Sequence, residues 1–388
     1  MKNIMVIYTN YCSRYDLPSS VYSIDWNGNL LAYGHDNGIS VLTPIPKNTQ
    51  ISKNLPSTLQ QEWVFQKTNI ELEHLVTHIK FTSKYIATAL ENNTIILIDH
   101  LSDIKKKLGV DGDIKHTEDI NSIDISENGT VVSAGDDKKI IVWGKDDSHV
   151  FHLDNIPTFV KFWIDKDSDK IIVVENGTTV KILDYKKSKW LFTIYPFSYS
   201  SNSQPVIKDV LINNDKIIIV GNGWWKEYDP ESLINGAGYT KPNNENQVVG
   251  WDTNSRYISS KSTPLIGAIG NDRSSFYDLS AKSKQSHQFK LQIPSFDIPA
   301  GSINSDGIVA FASGSKLILA NPFDSYEVIQ KDIEIPNYDE NGDLILPPPQ
   351  NPDALKQKSE LLTDKQVGEK QAVIPNDVKE QLASNVNK

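Results

Sequence analysis

Few residues in this chain have the types and spacing of a catalytic site, and each of them has a plainer use. His116, Asp119 and Ser133 supply the residue types of a serine-hydrolase triad, in which a carboxylate orients an imidazole that takes a proton from a hydroxyl. No Gly-x-Ser-x-Gly elbow accompanies them. Asp165-Lys166-Asp167-Ser168-Asp169 begins like a calcium loop, but Lys170 stands where the sharp turn needs glycine and Asn176 where a glutamate should close the site. Asp339, Asn341 and Asp343 repeat the spacing with as little behind it. Gly221-Asn222-Gly223 lacks the remainder of a phosphate loop and reads as a hairpin turn. Lys105-Lys106-Lys107, with Asp103 and Asp111 beside it, is too short for a nucleic-acid tract. These readings predict no catalytic, cofactor-binding or metal-binding residues, and hence no enzyme.

The bulk chemistry points the same way. Against 39 Lys and Arg stand 49 Asp and Glu, a net charge of −10 over 388 residues. An acidic chain is not expected to use nucleic acid or an anionic membrane as its main partner. The single cysteine, Cys12, forms no internal disulfide and suits a reducing compartment. No apolar run approaches the roughly 20 residues of a membrane span, so no membrane insertion is expected. The apolar run between Met1 and Tyr8 is too short for a signal peptide and reads as a strand. Asn-x-Thr triplets at Asn92, Asn128 and Asn176 read as turns.

What must position any functional residue is a repeated β unit. Short runs of period two recur to about residue 320, bounded by Gly, Asn and Asp. Val21–Trp26, Leu30–Tyr33 and Ile39–Thr43 form one unit; Leu75–Phe81, Tyr85–Ala89 and Thr94–Asp99 form the next. Ile120–Ile125, Thr130–Ala134 and Lys139–Trp143 follow, then Phe159–Trp163, Lys170–Val174 and Thr179–Asp184 with Trp190–Ile194 as a fourth strand. Ile207–Ile212, Lys216–Val220 and Trp224–Tyr228 make a fifth. Val248–Asp252, Leu265–Ile269 and Ser274–Asp278, with His287–Leu291 outside, make a sixth. Gly307–Phe311 and Lys316–Ala320 belong to the last. Asn-Gly and Asp-rich links suit antiparallel hairpins, because Gly and Asn tolerate positive φ. Seven units of about 45 residues need roughly 315. The reading is an all-β, seven-bladed propeller over residues 1–330, with Asn3–Tyr8 completing the last blade and closing the ring.

Residues 331–388 hold one aromatic, Tyr338, with Pro347-Pro348-Pro349 and many charged residues. Such a segment buries too little to fold alone and reads as a largely disordered, acidic tail. Two short helices fit within it, one through Leu355 and Leu362 after Asn351-Pro352, and one from Asn376 with Val378, Leu382 and Val386 on one face. As docking peptides, they make Leu355, Leu362, Val378 and Leu382 candidate interface residues. Trp224-Trp225 is a further candidate: adjacent strand residues point to opposite faces, so both can be buried between blades, and an exposed one would be an anchor for a partner.

The third unit carries a signature. His116-Thr117-Glu118-Asp119-Ile120, Ser133-Ala134-Gly135-Asp136-Asp137 and Ile141-Val142-Trp143 resemble the WD-repeat consensus. That resemblance implies a WD40-type propeller and a hydrogen-bonded structural set of His116, Ser133, Asp137 and Trp143. Other units depart from it: Leu183-Asp184 and Tyr277-Asp278 stand in place of Trp-Asp, and Gly177 in place of the turn aspartate. Leu30-Leu31-Ala32-Tyr33-Gly34, the stretch Val173–Thr178 through Asp184-Tyr185, and Val220-Gly221-Asn222-Gly223-Trp224 are similar, in order, to the small thirty-seven-kilodalton WD-repeat nucleoporins of the nuclear-pore Y-complex.

That second resemblance implies a structural part in the nuclear pore complex, and so in mRNA export and protein transport at the nuclear envelope. The implied partner is a large Y-complex scaffold nucleoporin with its own propeller and helical domain. Two alternatives belong to other classes. One is a WD40 adaptor, such as a ubiquitin-ligase substrate receptor or a chromatin-complex subunit. The other is a calcium-dependent propeller hydrolase, which would need carboxylates and histidines converging on the central channel.

Overall fold

The computed structural model describes residues 7–8, 12–43, 66–109, 114–145, 147–163, 170–197, 206–213, 215–221, 223–230, 233, 239–247, 256–260, 263–269, 274–279, 286–289, 300–320, 322, 327–328, 337–338 and 344–345. Ile7–Val328 form one compact unit, and Met1–Val6 with Ile329–Lys388 form another. In the second, Asn337–Tyr338 pair antiparallel with Leu344–Ile345. The tail residues Leu355, Leu362, Val378 and Leu382 lie outside the described residues. Among the described residues there is no helix long and apolar enough to cross a membrane.

The first unit is a seven-bladed propeller, each blade a four-stranded antiparallel meander. Blade 1 is Val21–Asn27, Leu30–His35, Gly38–Thr43 and Gln66–Glu71. Blade 2 is Val76–Phe81, Tyr85–Leu90, Ile95–Asp99 and Ile104–Leu108. Blade 3 is Ile120–Ile125, Val131–Gly135, Lys139–Trp143 and Ser148–His152. Blade 4 is Pro157–Trp163, Lys170–Glu175, Thr179–Asp184 and Lys189–Ile194. Blade 5 is Ile207–Asn213, Lys216–Gly221, Trp224–Tyr228 and Asn244–Gln247. Blade 6 is Arg256–Ser259, Leu265–Ile269, Ser274–Asp278 and Ser286–Phe289.

Blade 7 corrects one expectation. Its first three strands are Ala300–Ile303, Val309–Ser313 and Lys316–Ala320, and its fourth is Cys12–Asp16, not Asn3–Tyr8. Cys12 opposes Ala320 and Asp16 opposes Lys316, so the chain's N-terminal side closes the ring. Ile7–Tyr8 instead pair with Glu327–Val328. The closing strand must continue directly into blade 1 at Val21, which the more polar Cys-Ser-Arg-Tyr-Asp run does and the apolar run before it cannot. Blade 6 carries a second correction: its first strand is Arg256–Ser259, not Val248–Asp252. Asn244–Gln247 is already the outer strand of blade 5, and Val248–Asp252 lie outside the described residues.

The core is distributed over the seams between blades. One apolar cluster fills each of the seven: Trp26, Leu31 and Tyr33 meet Ala310 and Leu317 at the closing seam, and Val132, Ile140 and Val142 meet Val160, Ile171 and Val173 between blades 3 and 4. The two middle strands of a blade are therefore covered on both faces. This explains why they read as continuous apolar runs, such as Ile217-Ile218-Ile219-Val220, instead of alternating. The glycines at the hairpin tips Asn27-Gly28-Asn29 and Asn128-Gly129 have φ of 54° and 85°, which the turn requires and a side chain would strain.

Candidate interaction site

In blade 3 the polar set sits at the end of the sheet where the chain enters from blade 2. His116 precedes the first strand, Ser133 lies on the second, Asp137 in the turn after it and Trp143 at the end of the third. His116 Nδ1 is 2.9 Å from Asp137 Oδ1, and His116 Nε2 is 2.8 Å from Ser133 Oγ. The Trp143 indole N–H donates to the same Ser133 oxygen at 3.0 Å. The Asp137 carboxylate also accepts the Thr117 and Lys139 backbone N–H groups at 3.0 and 3.2 Å. One assignment of protons satisfies every partner. Nδ1–H donates to the carboxylate, and the Ser133 hydroxyl donates to Nε2 while accepting from Trp143. The imidazole is then neutral. Burial pushes the His116 pKa down, and this outweighs the opposing pull of Asp137. Burial acts to raise the Asp137 pKa, but the hydrogen bonds from His116, Thr117 and Lys139 hold it below the ordinary value.

Gly135 makes room for this arrangement: a Cβ there would lie 2.6 Å from His116 Nδ1 and 3.1 Å from Asp137 Oδ1. The connectivity Asp137–His116–Ser133 is that of a hydrolase triad, with Asp137 and not Asp119 as the carboxylate; Asp119 contributes its backbone carbonyl to Asp136 N. Ser133 is nonetheless fully buried, and its oxygen is occupied by the indole N–H. No substrate carbonyl can reach it, so the set holds the blade together. In blades 4 and 5 aliphatic and aromatic residues take these places. Leu183 and Val173 stand at the register positions of Trp143 and Ser133 in blade 4. In blade 5 they are Tyr228 and Ile219.

A second polar device went unread in the sequence. On the first strands of blades 1 and 3 stand Ser23-Ile24-Asp25 and Ser122-Ile123-Asp124. Ser23 Oγ and Asp25 Oδ2 accept the Ile79 and Phe81 backbone N–H groups of blade 2 at 2.9 and 2.7 Å. Ser122 Oγ and Asp124 Oδ2 accept those of Val160 and Phe162 in blade 4 at 3.2 and 2.8 Å. The repeated Ser-Ile-Asp triplet was the available signal. These side chains help line a channel of about 330 Å³ between the first strands of all seven blades. Its acidic and basic lining groups are Asp25, Asp124 and Asp209 with His78, Lys80, Lys161 and Lys208. Among the described residues no group of three or more His, Cys, Asp or Glu is placed to hold a metal ion.

Trp224 and Trp225 point to opposite seams. Trp225 is buried between blades 5 and 6. Trp224 is half-buried between blades 4 and 5, edge-on to Phe197 with ring centroids 5.0 Å apart. Lys226 Nζ lies 5.6–5.8 Å from the Phe197, Trp224 and Tyr239 rings and donates to the Pro196 carbonyl at 2.9 Å. Exposed apolar side chains that the sequence did not single out include Leu101, Ile104, Trp190 and Tyr239.

The comparisons bear on the class. Residues 112–144 match the WD40 family, described as WD domain, G-beta repeat. This span holds the first three strands of the third blade and its polar set, so the closed seven-bladed β-propeller carries one matched WD repeat. Among solved structures it is similar to the WD40 β-propeller domain of Doa1, at a TM-score of 0.57 and 14% identity over 81% of this chain and 97% of that one, a likeness of fold. No curated protein sequence matches the chain significantly.

Proposed function

We propose that this propeller is a structural scaffold that works by binding other proteins, and that it serves as a subunit of the nuclear-pore Y-complex. The observation that carries the first part is where the polar chemistry goes. The aspartates on the first strands of blades 1 and 3 and the polar set of blade 3 are committed to hydrogen bonds within and between blades. Among the described residues the solvent-exposed side chains include scattered aromatic and aliphatic ones, such as Leu101, Ile104, Trp190 and Tyr239. Such a ring offers several surfaces to partners at fixed relative angles. The second part rests on the ordered resemblances between Leu30 and Trp224. The partner is then a large scaffold nucleoporin with a propeller and a helical domain, met through an apolar or aromatic centre with a polar rim.

The test is to tag the endogenous chain, image it, and identify what co-purifies at moderate salt. A signal at the nuclear rim with scaffold nucleoporins in stoichiometric yield supports the assignment. A diffuse signal with ubiquitin-ligase or chromatin subunits in the purified material would replace it with the WD40-adaptor reading.

A further inference from the structure

We propose that the outer strand of blade 2, Ile104–Leu108, is a docking edge that takes an extended acidic segment of a partner protein as a fifth strand. Among the described residues the strand is the last of its sheet and pairs on one side, with Ile95–Asp99. It is also the barest outer strand with described side chains: Ile104, Lys105, Lys106 and Lys107 are all exposed, whereas the outer strands of blades 3 and 4 are half-covered. Two large apolar side chains stand in solvent here, Leu101 at 71% and Ile104 at 65% exposure, more than any other large apolar side chain among the described residues.

Lysines on an edge can simply guard it against aggregation. Their placement argues for more. Successive residues point to opposite faces of the sheet. Lys105 reaches toward blade 1, where Nζ donates to the Glu71 carbonyl at 2.8 Å. Lys106 reaches the other way, to the Lys145 carbonyl beyond blade 3's third strand at 3.3 Å. The two ammonium groups flank the edge on either face, and no second strand among the described residues pairs with its backbone. An arriving strand would find main-chain donors and acceptors in line, positive charge on both faces, and Ile104 and Leu101 at one end. Strand addition of this kind draws affinity from the backbone and selectivity from alternate side chains. Three adjacent positive charges on a chain of net −10 select carboxylates over basic or neutral segments. The inference goes beyond the scaffold reading and does not need the nuclear-pore assignment.

The probe is a fluorescein-labelled eight-residue peptide alternating glutamate and threonine, titrated against the full chain by fluorescence polarisation. Its control carries N-methylated backbone amides at four successive residues, which keeps the charge and removes backbone donors on both sides of the strand. The expected result is binding by the first peptide and at least about tenfold weaker binding by the second. A similar loss is expected with Lys107→Glu in the full chain, a variant that should melt as the parent does. Hydrogen exchange read over residues 104–108 should slow on addition of the first peptide and not of the second. Equal binding of both peptides, or no slowing at 104–108, would overturn the proposal. So would tighter binding of a poly-uridine strand than of the peptide, or self-association of the chain that Lys107→Glu abolishes.

Discussion

A buried histidine is costly unless both ring nitrogens have partners, and His116 has them in Asp137 and Ser133. His116→Ala takes one buried partner from the Ser133 hydroxyl and one from the Asp137 carboxylate, and should cost about 1–3 kcal/mol in a thermal or urea melt. The same residue makes stability pH-dependent. Its pKa is depressed in the fold, so the unfolded chain binds the extra proton first. The stabilisation is present above the ordinary histidine value of about 6.5 and is lost as pH falls through that value toward the folded one. The parent should therefore melt lower at pH 5.5 than at pH 7.5, and His116→Ala should flatten that difference. The contribution of Asp137, also depressed, is lost only in stronger acid. Asp124→Ala should cost a similar 1–3 kcal/mol by leaving the buried Phe162 N–H without its acceptor. The two devices differ in how openly the sequence shows them. The polar set lies within one repeat, so its residue types and spacing announce it. Asp124 and Asp25 meet partners 38 and 56 residues away in the next blade, and no local pattern reveals that pairing.

At the scale of elements, the middle strands were plain from the residues and the outer strands were not. Runs such as Ile171-Ile172-Val173-Val174 are covered by neighbouring blades on both faces and must be apolar. Outer strands hold by their ladder and face the rim, so Ile104-Lys105-Lys106-Lys107-Leu108 and Cys12-Ser13-Arg14-Tyr15-Asp16 show little strand pattern. That is why the closing strand was expected in the more apolar residues before it, and why Val248–Asp252 looked a better first strand for blade 6 than Arg256–Ser259. Closure by Cys12–Asp16 can be tested directly. Removing residues 1–16 should leave Lys316–Ala320 as an open edge and lower the melting temperature by about 5–10 °C. A synthetic peptide of residues 10–17 added in trans should restore part of the loss. No shift on removal would show that the ring closes without this strand.

For the whole molecule, the ring spends its apolar surface on seven seams and its polar side chains on fastening blade to blade. A ring closed on itself in this way presents several surfaces to partners, which suits a protein that holds others in place. The WD repeat of blade 3 and the closed propeller define the class, and the nuclear-pore assignment is our proposal for its place. The decisive measurement is purification of the tagged endogenous chain at moderate salt. A scaffold subunit should come down in a persistent complex with other proteins, with large scaffold nucleoporins present in amounts equal to the bait. A chain that purifies alone, at every salt concentration low enough to preserve persistent interfaces, would contradict the scaffold reading.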